Sequence, residues 1–197
     1  GPSPDNNLRL KMAMQNARGM NMPKEIVERA IKKAAGGDEA DYAEMTYEGY
    51  APGGIAIFVE TATNNTTRTV ANVRMFFSKC DGTLGTSGSL AHVFDRKAEF
   101  VIENSTLGER DLDEFEMELI DAGADDVIRD DETLTVLAAF TSFGDIQQKL
   151  EGLAVESKSA ELKRFPLSTI PADIDTARNV MKLIDLLEED EDVNTVY

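Results

Sequence analysis

Tyr47-Glu48-Gly49-Tyr50-Ala51-Pro52-Gly53-Gly54 opens the stretch on which the fold turns. It runs on through an apolar segment to Glu60, then Asn64-Asn65-Thr66-Thr67-Arg68-Thr69-Val70, then Phe76-Phe77-Ser78-Lys79-Cys80, and leaves through Gly82, Gly85 and Gly88. Proline fixes one turn dihedral and glycine accepts the positive φ of a reversal, so Pro52-Gly53-Gly54 between two β-rich runs predicts a tight turn. Strands are predicted near 44–50 and 54–61, and a helix near 67–79 with Val70, Val73, Phe76 and Phe77 inward. The unit is a β-hairpin feeding a helix, and the glycine stretch behind it leads to a strand near 90–94.

Downstream, the pattern becomes strand, helix, strand, strand, helix, strand. The strands lie near 98–102, 127–129, 133–139 and 159–165, and the helices near 111–122 and 143–150. This βαββαβ order is that of a ferredoxin-like domain. Pro166 and Pro171 punctuate the return, Asp173 caps a helix with Val180, Leu183, Ile184 and Leu187 inward, and 193–197 is a closing strand. An economical reading makes 89–165 an insertion, with 166–197 rejoining 42–88 to complete its sheet.

Upstream, Gly1-Pro2-Ser3-Pro4 reads as a loop, because each proline removes a donor and restricts its predecessor. Asp5 is a candidate cap for a helix carrying Leu8, Met12 and Ala13 on one side, which Gly19 stops. Asn21 and Pro23 start a second helix with Ile26, Val27, Ala30, Ile31 and Ala34 at helical spacing, ended by Gly36-Gly37. Residues 38–42 form an acidic linker. Two amphipathic helices do not make a full core, so the segment reads as part of a larger helical domain.

The 197 residues allow two or three small domains. A hydrophobic fraction of 42% without a long apolar run predicts a globular chain with no membrane span or signal peptide. The single Cys80 excludes an intramolecular disulfide and suits a reducing cytoplasm. A formal charge of −17 opposes nucleic-acid binding at long range. The distribution is uneven, however: Arg9, Lys11, Arg18, Lys24, Arg29, Lys32 and Lys33 outnumber Asp5, Glu25 and Glu28 over 1–37, whereas the remainder is acidic. Such asymmetry reads as a basic head on an acidic body.

Catalytic and metal chemistries find little to stand on. Cys80 and His92 are the only residues of their kinds, and Cys80 reads as a small packing residue. Ser78, His92 and Asp95 lack a nucleophile elbow or an oxyanion signature. One histidine and one cysteine do not supply an ordinary zinc set. Glu188-Glu189-Asp190-Glu191-Asp192 lacks the ligand spacing of a calcium loop and reads as a solvated helix end. Gly82-Thr83-Leu84-Gly85 spells the GxxG that clamps nucleic-acid backbone in KH domains, but a strand rather than a helix follows it, so tight turns are the reading preferred. No catalytic residue, metal site or cofactor is therefore assigned.

The ordered set Tyr-Glu-Gly-Tyr-x-Pro-Gly-Gly, Asn-x-x-Arg-Thr-Val and Phe-Ser-Lys-Cys-x-Gly-x-Leu-Gly-Thr-x-Gly-Ser resembles the YebC family, whose mitochondrial relatives are translational activators. Asn21-Met22-Pro23-Lys24, Asp121-Ala122-Gly123-Ala124 with Asp126-Val127, Leu183-Ile184-Asp185 and the closing Val196-Tyr197 extend the likeness over nearly the whole chain. The resemblance implies an α+β fold of three domains: a helical N-terminal domain over 1–41 and two ferredoxin-like sandwiches, 42–88 with 166–197 and the inserted 89–165. It implies a Lys/Arg-rich helical segment ahead of Gly1, so that the visible charge is that of a fragment.

In function, the resemblance implies a non-enzymatic cytoplasmic regulator working through DNA, RNA or the ribosome, in transcription or in helping ribosomes through proline-rich stretches. Membrane and obligatory small-molecule partners are not expected, and a monomer is favoured. Arg9, Lys11, Arg18, Lys24, Arg29, Lys32 and Lys33 become phosphate contacts that give affinity with little sequence preference. On residues alone they read equally as a solvated helix face. Arg68, beside Asn64 and Asn65, is either a further nucleic-acid contact or a bond to the hairpin's carbonyls that holds an interdomain angle. A small-molecule sensor is the second class of function, since ferredoxin-like sheets often hold metabolites.

Overall fold

The computed structural model describes residues 3–36 and 42–197. In chain order the helices are α1 (Leu8–Gly19), α2 (Lys24–Gly36), α3 (Thr66–Lys79), α4 (Asn104–Leu107), α5 (Leu112–Asp121), α6 (Phe143–Gly152) and α7 (Ile174–Glu188). The strands are β1 (Ala43–Ala51), β2 (Ile55–Thr63), β3 (Thr83–Leu84), β4 (Phe94–Glu103), β5 (Ala124–Arg129), β6 (Thr133–Ala139), β7 (Ser159–Pro166) and β8 (Val193–Val196). The fold is α+β, with two four-stranded antiparallel sheets. Two compact units result, Gly1–Asp38 with Arg96–Lys163 and Glu39–Asp95 with Arg164–Tyr197.

In the hairpin unit, β1 and β2 pair in unbroken register from Ala43↔Thr63 to Ala51↔Ile55. The reversal is confined to Pro52–Gly54, where Gly53 and Gly54 have φ of 77° and 75°. Side chains other than glycine are strained there, which is why the sequence places two glycines after the proline. α3 starts where the Asn65 side chain accepts the Arg68 N–H at 3.1 Å, an N-cap that satisfies an orphan donor of the first turn. Its Val73 and Phe77 pack with Val180, Leu183 and Leu187 of α7 on Tyr47, Ile57 and Val59 of the sheet. The strand order is β3-β1-β2-β8. Two helices thus cover one face of a four-stranded sheet, with the chain order ββαβ followed by αβ rather than βαββαβ.

The segment near 90–94 does not form the expected strand; β4 begins only at Phe94. The buried Glu48 carboxylate accounts for this. It accepts the Gly88 N–H at 2.7 Å and the Leu90 N–H at 2.6 Å, while the Glu48 carbonyl accepts the Gly85 N–H at 2.7 Å. These donors are held by one residue instead of a ladder, and Leu90 is driven into the interior.

The other unit carries the βαββαβ run as β4-α5-β5-β6-α6-β7, with strand order β5-β6-β4-β7. That is the ferredoxin-like arrangement. Phe100, Ile102, Phe115, Leu119, Leu134, Val136, Ile146 and Leu150 form its core, with Met12 of α1 packed against it. α1 also lies along β7, an edge strand. The Asn16 side chain accepts the Ala160 N–H at 2.9 Å and donates to the Ala160 carbonyl at 3.2 Å, doing for that edge what a neighbouring strand would do. Gln15 donates to Ser157 Oγ at 2.9 Å and to the Ser157 carbonyl at 3.1 Å. Residues 1–38 group with the inserted segment for this reason.

Two local expectations are corrected. The α1 cap is Asn7, which accepts the Leu10 N–H at 3.1 Å, because a 3-10 turn over Pro4–Asn6 takes up Asp5. On α2 the apolar stripe is not buried as expected: Val27 and Ile31 are half-buried, whereas Ile26, Ala30 and Ala34 are exposed, Ile26 to 50%. A two-helix segment offers too little partner surface to cover it. Gly37, expected to help stop this helix, and residues 38–41 of the linker lie outside the described residues.

Candidate nucleic-acid interface

The cations picked out in the sequence take three different situations. On α2, Lys24, Arg29 and Lys32 are exposed; successive 100° steps place Arg29 and Lys32 opposite the Ile26-Val27-Ala30-Ile31 arc and Lys24 at its edge, beside Ile31. Lys24 reaches Glu28 at 3.4 Å, one turn away, a solvated pair that contributes little. Among the described residues no hydrogen bond or ion pair engages the side chains of Arg29 and Lys32. Lys33 continues the same sequence run, and its side chain lies outside the described residues.

On α1 the cations divide. Arg9 is exposed on one side. Lys11 and Arg18, seven residues apart, share the opposite stripe with Met14 and Gln15, and that stripe faces α6 and the segment after it. The Lys11 ammonium donates to Glu151 Oε1 at 2.9 Å, and Gln147 Nε2 donates to the same carboxylate at 3.0 Å. The lysine bond and the amide bond, against a smaller effect of burial, hold the Glu151 carboxyl below the ordinary range. Arg18 lines a cavity of about 540 Å³ with Lys11, Gln15, Gln147, Glu151 and Glu156.

Arg68 belongs to the hairpin unit, and the structural role foreseen for it is not met as expected. It does not bond the hairpin's carbonyls. Its Nη2 donates to Asp192 Oδ1 at 2.7 Å and to Oδ2 at 2.8 Å, its Nε donates to Oδ2 at 3.2 Å, and Nη2 also reaches Asn64 Oδ1 at 3.3 Å. The guanidinium side chain is nevertheless 49% exposed, so one edge stays available. Thr69 donates to Asp192 Oδ2 at 2.7 Å, and Asn72 donates to Asp190 at 2.8 Å. The acidic run therefore departs from the expected solvated helix end. Asp192 is 5% exposed and closes the network at the start of α3. The signal for this was present as Arg68-Thr69, a donor pair awaiting a carboxylate, but a separation of 123 positions from Thr69 hid the partner.

Cys80 is buried in the hairpin unit's core, and His92 is exposed on a turn. Ser78, His92 and Asp95 are all exposed. Among the described residues no group of histidine, cysteine, aspartate and glutamate side chains converges as a metal site. No helix of the described residues is long and apolar enough to cross a membrane.

Comparison with known proteins identifies the frame in which these residues stand. The family model described as TACO1/YebC protein N-terminal domain matches residues 1–37, and that of the TACO1/YebC second and third domain matches residues 42–197. The chain is 48% identical over 197 residues to a protein of Flavobacterium psychrophilum named "probable transcriptional regulatory protein", covering 100% of this chain and 82% of that one. It is 50% identical to a protein of the same name from Parabacteroides distasonis, covering 100% and 80%. The crystal structure of a conserved hypothetical protein from Aquifex aeolicus is similar with a TM-score of 0.76 at 38% identity, covering 100% of this chain and 81% of that one. The two family matches take in the hairpin unit, the inserted ferredoxin-like segment and the basic helices alike, and the chain is a member of the TACO1/YebC family.

Proposed function

We propose that this protein is a non-enzymatic regulator of gene expression that acts in the cytoplasm through nucleic acid or the ribosome. The observation that carries the reading is α2: in a chain of net charge −17, Lys24, Arg29 and Lys32 stand exposed on one helix. An exposed cationic helix on an acidic protein localises attraction for phosphate where the body repels it. Contacts of this kind supply affinity and orientation without reading bases, which suits RNA in a ribosome as well as duplex DNA. The names carried by the relatives favour regulation of expression over metabolism. Relief of ribosome stalling on proline-rich stretches is the finer form of the proposal. A single partner chain is enough for this reading, and the protein acts as a monomer.

The test reverses the charges of Lys24, Arg29, Lys32 and Lys33 to Glu in the full-length protein. Thermal melting, sedimentation through a ribosome-containing gradient and binding to labelled RNA and DNA are then measured on the same samples. The wild type should travel with ribosomal fractions or bind nucleic acid, and the variant should fold and lose that association. A folded variant with undiminished association, or a wild type that binds neither, would overturn the proposal.

A further inference from the structure

On α1, Lys11 is bonded to a carboxylate of its own chain, and Arg18 borders an opening that two carboxylates share. Lys11 and Arg18 occupy the stripe Lys11, Met14, Gln15, Arg18, and α6 with its following segment presents Glu151 and Glu156 to it. Lys11 is bonded to Glu151 at 2.9 Å. Arg18 lies between two openings, one of about 540 Å³ bordered by Glu151 and Glu156 and one of about 280 Å³ bordered by Glu103, Glu156 and Lys158. α1 is kept on this seam by uncharged contacts. Asn16 pairs with both backbone groups of Ala160, Gln15 bonds Ser157, and Gly19 lies so close to β7's approach that an added Cβ would stand 1.8 Å from the Lys158 carbonyl oxygen. The positioning of the helix therefore does not depend on the ion pair. Glu151 is left to act on the lysine, and Glu156 stands at the opening that Arg18 also borders.

The pair itself is solvated, with Lys11 and Glu151 side chains 53% and 51% exposed. Exposed pairs of this kind stabilise a fold very little. A polyanion approaching α1 must nevertheless displace or share them. We propose that Glu151, paired with Lys11, and Glu156, which borders the same opening as Arg18, form an autoinhibitory acidic edge that competes for these cations and is displaced when α1 engages the phosphates of a nucleic acid. The proposal rests on the reading that the basic helices meet nucleic acid. It adds that the acidic segment sets how strongly they do so: α2 makes the first contact with its exposed cations, and α1 contributes only once its internal carboxylates are exchanged for phosphate. Salt then acts in two directions, weakening phosphate attraction and loosening the internal pair together.

The experiment compares the full-length wild type with Glu151→Gln/Glu156→Gln and with Glu114→Gln/Glu132→Gln. The last variant removes the same charge from the same unit at exposed positions that border neither opening. Binding of a labelled single-stranded oligoribonucleotide is read by anisotropy at one ionic strength, with melting curves as the check on folding. The E151Q/E156Q protein should bind about two- to tenfold more tightly than wild type, the span that one released surface pair and the loss of a neighbouring like-charged competitor can supply. The control should stay within about twofold. Equal tightening of both variants would show a general charge effect and overturn the proposal, as would no tightening of the first. Absence of RNA binding by all three proteins would overturn this proposal, and joined to a wild type that binds neither DNA nor ribosomes it would overturn the functional reading as well, whereas equal and measurable binding overturns the proposal alone.

Discussion

Arg68 and Asp192 stand 124 positions apart and meet through a fork of three bonds, 2.7 and 2.8 Å from Nη2 and 3.2 Å from Nε. The pair joins the first turn of α3 to the turn before β8, where the Ala62 N–H also donates to the Asp192 carbonyl at 2.9 Å. Burial pushes the Asp192 carboxyl up. Bonds from Arg68, Thr69 and Thr63 and the Arg68 charge outweigh burial, so the group is held below the ordinary carboxylate range.

A folded-state pKa below the unfolded one contributes stability that is present above the unfolded value, about 3.9, and is lost as pH falls through the folded value. Asp192→Asn should therefore lower the melting temperature near neutral pH and flatten the acid limb of the stability curve below about pH 4. Arg68→Lys should fall between the two proteins, because an ammonium does not reproduce a planar fork. Superimposable stability curves for wild type and D192N would show that the pair contributes nothing.

The turn between β1 and β2 offers a test of conformation apart from packing. Around Gly54 an added Cβ meets nothing within 4 Å, whereas at Gly53 it meets Thr176 Cγ2 at 3.0 Å. Gly54→Val should destabilise by about 1–3 kcal/mol through its positive φ alone. Gly53→Val should cost more, since Thr176 must also move. Chemical denaturation of both variants checks the order, and an unchanged midpoint for either would place the reversal elsewhere.

Glu48 tests what fixes the glycine-rich segment after α3. Its carboxylate is 4% exposed and serves two backbone N–H groups. Glu48→Gln turns one acceptor into a donor facing a donor and should destabilise by about 1–3 kcal/mol. Amide exchange at Gly88 and Leu90 should speed up with it. Unchanged exchange at both would mean that other contacts hold the segment.

Gly19→Ala tests the docking of α1. The added methyl would overlap the Lys158 carbonyl, backbone that does not yield as a flexible side chain would. A loss of about 1–3 kcal/mol is expected from this overpacking, with weaker protection of the Ala160 N–H that Asn16 accepts. Retained protection and an unchanged melt would show that α1 is not seated on β7.

The α2 cations have a salt signature. If Lys24, Arg29 and Lys32 each neutralise a phosphate, replacing all three by Gln should reduce the slope of log K against log salt by about 2–3. Their exposure predicts near-neutral stability, within about 0.5 kcal/mol for each. A variant with the wild-type slope would place the phosphate contacts on other residues.

Much of the fold was legible in the residues because its signals are local. Pro52-Gly53-Gly54 specifies a reversal through backbone conformations that few other residues tolerate. The alternation of apolar side chains marks β6 as 133–139, where it stands, and Asp173 caps α7 as a short polar side chain does. The βαββαβ order follows from such periodicities taken in turn. The basic character of α2 was equally plain, since charge is a property of composition.

Tertiary structure decided whatever required two distant segments to meet. Asp192 read as one of a solvated acidic run until Arg68 and Thr69 enclosed it. The stretch near 90–94 had the composition of a strand, but Glu48 took the Leu90 N–H and local turn bonds took those of Ala91 and Val93. Lys11 and Arg18 were indistinguishable from Arg29 and Lys32 as letters. Only the docking of α1 by Asn16 and Gly19 on β7 turns the first two toward Glu151 and Glu156, while α2 keeps its cations in solvent. A side chain's partner depends on which surfaces the whole chain brings together, and periodicity along one element carries no information about the element it will face.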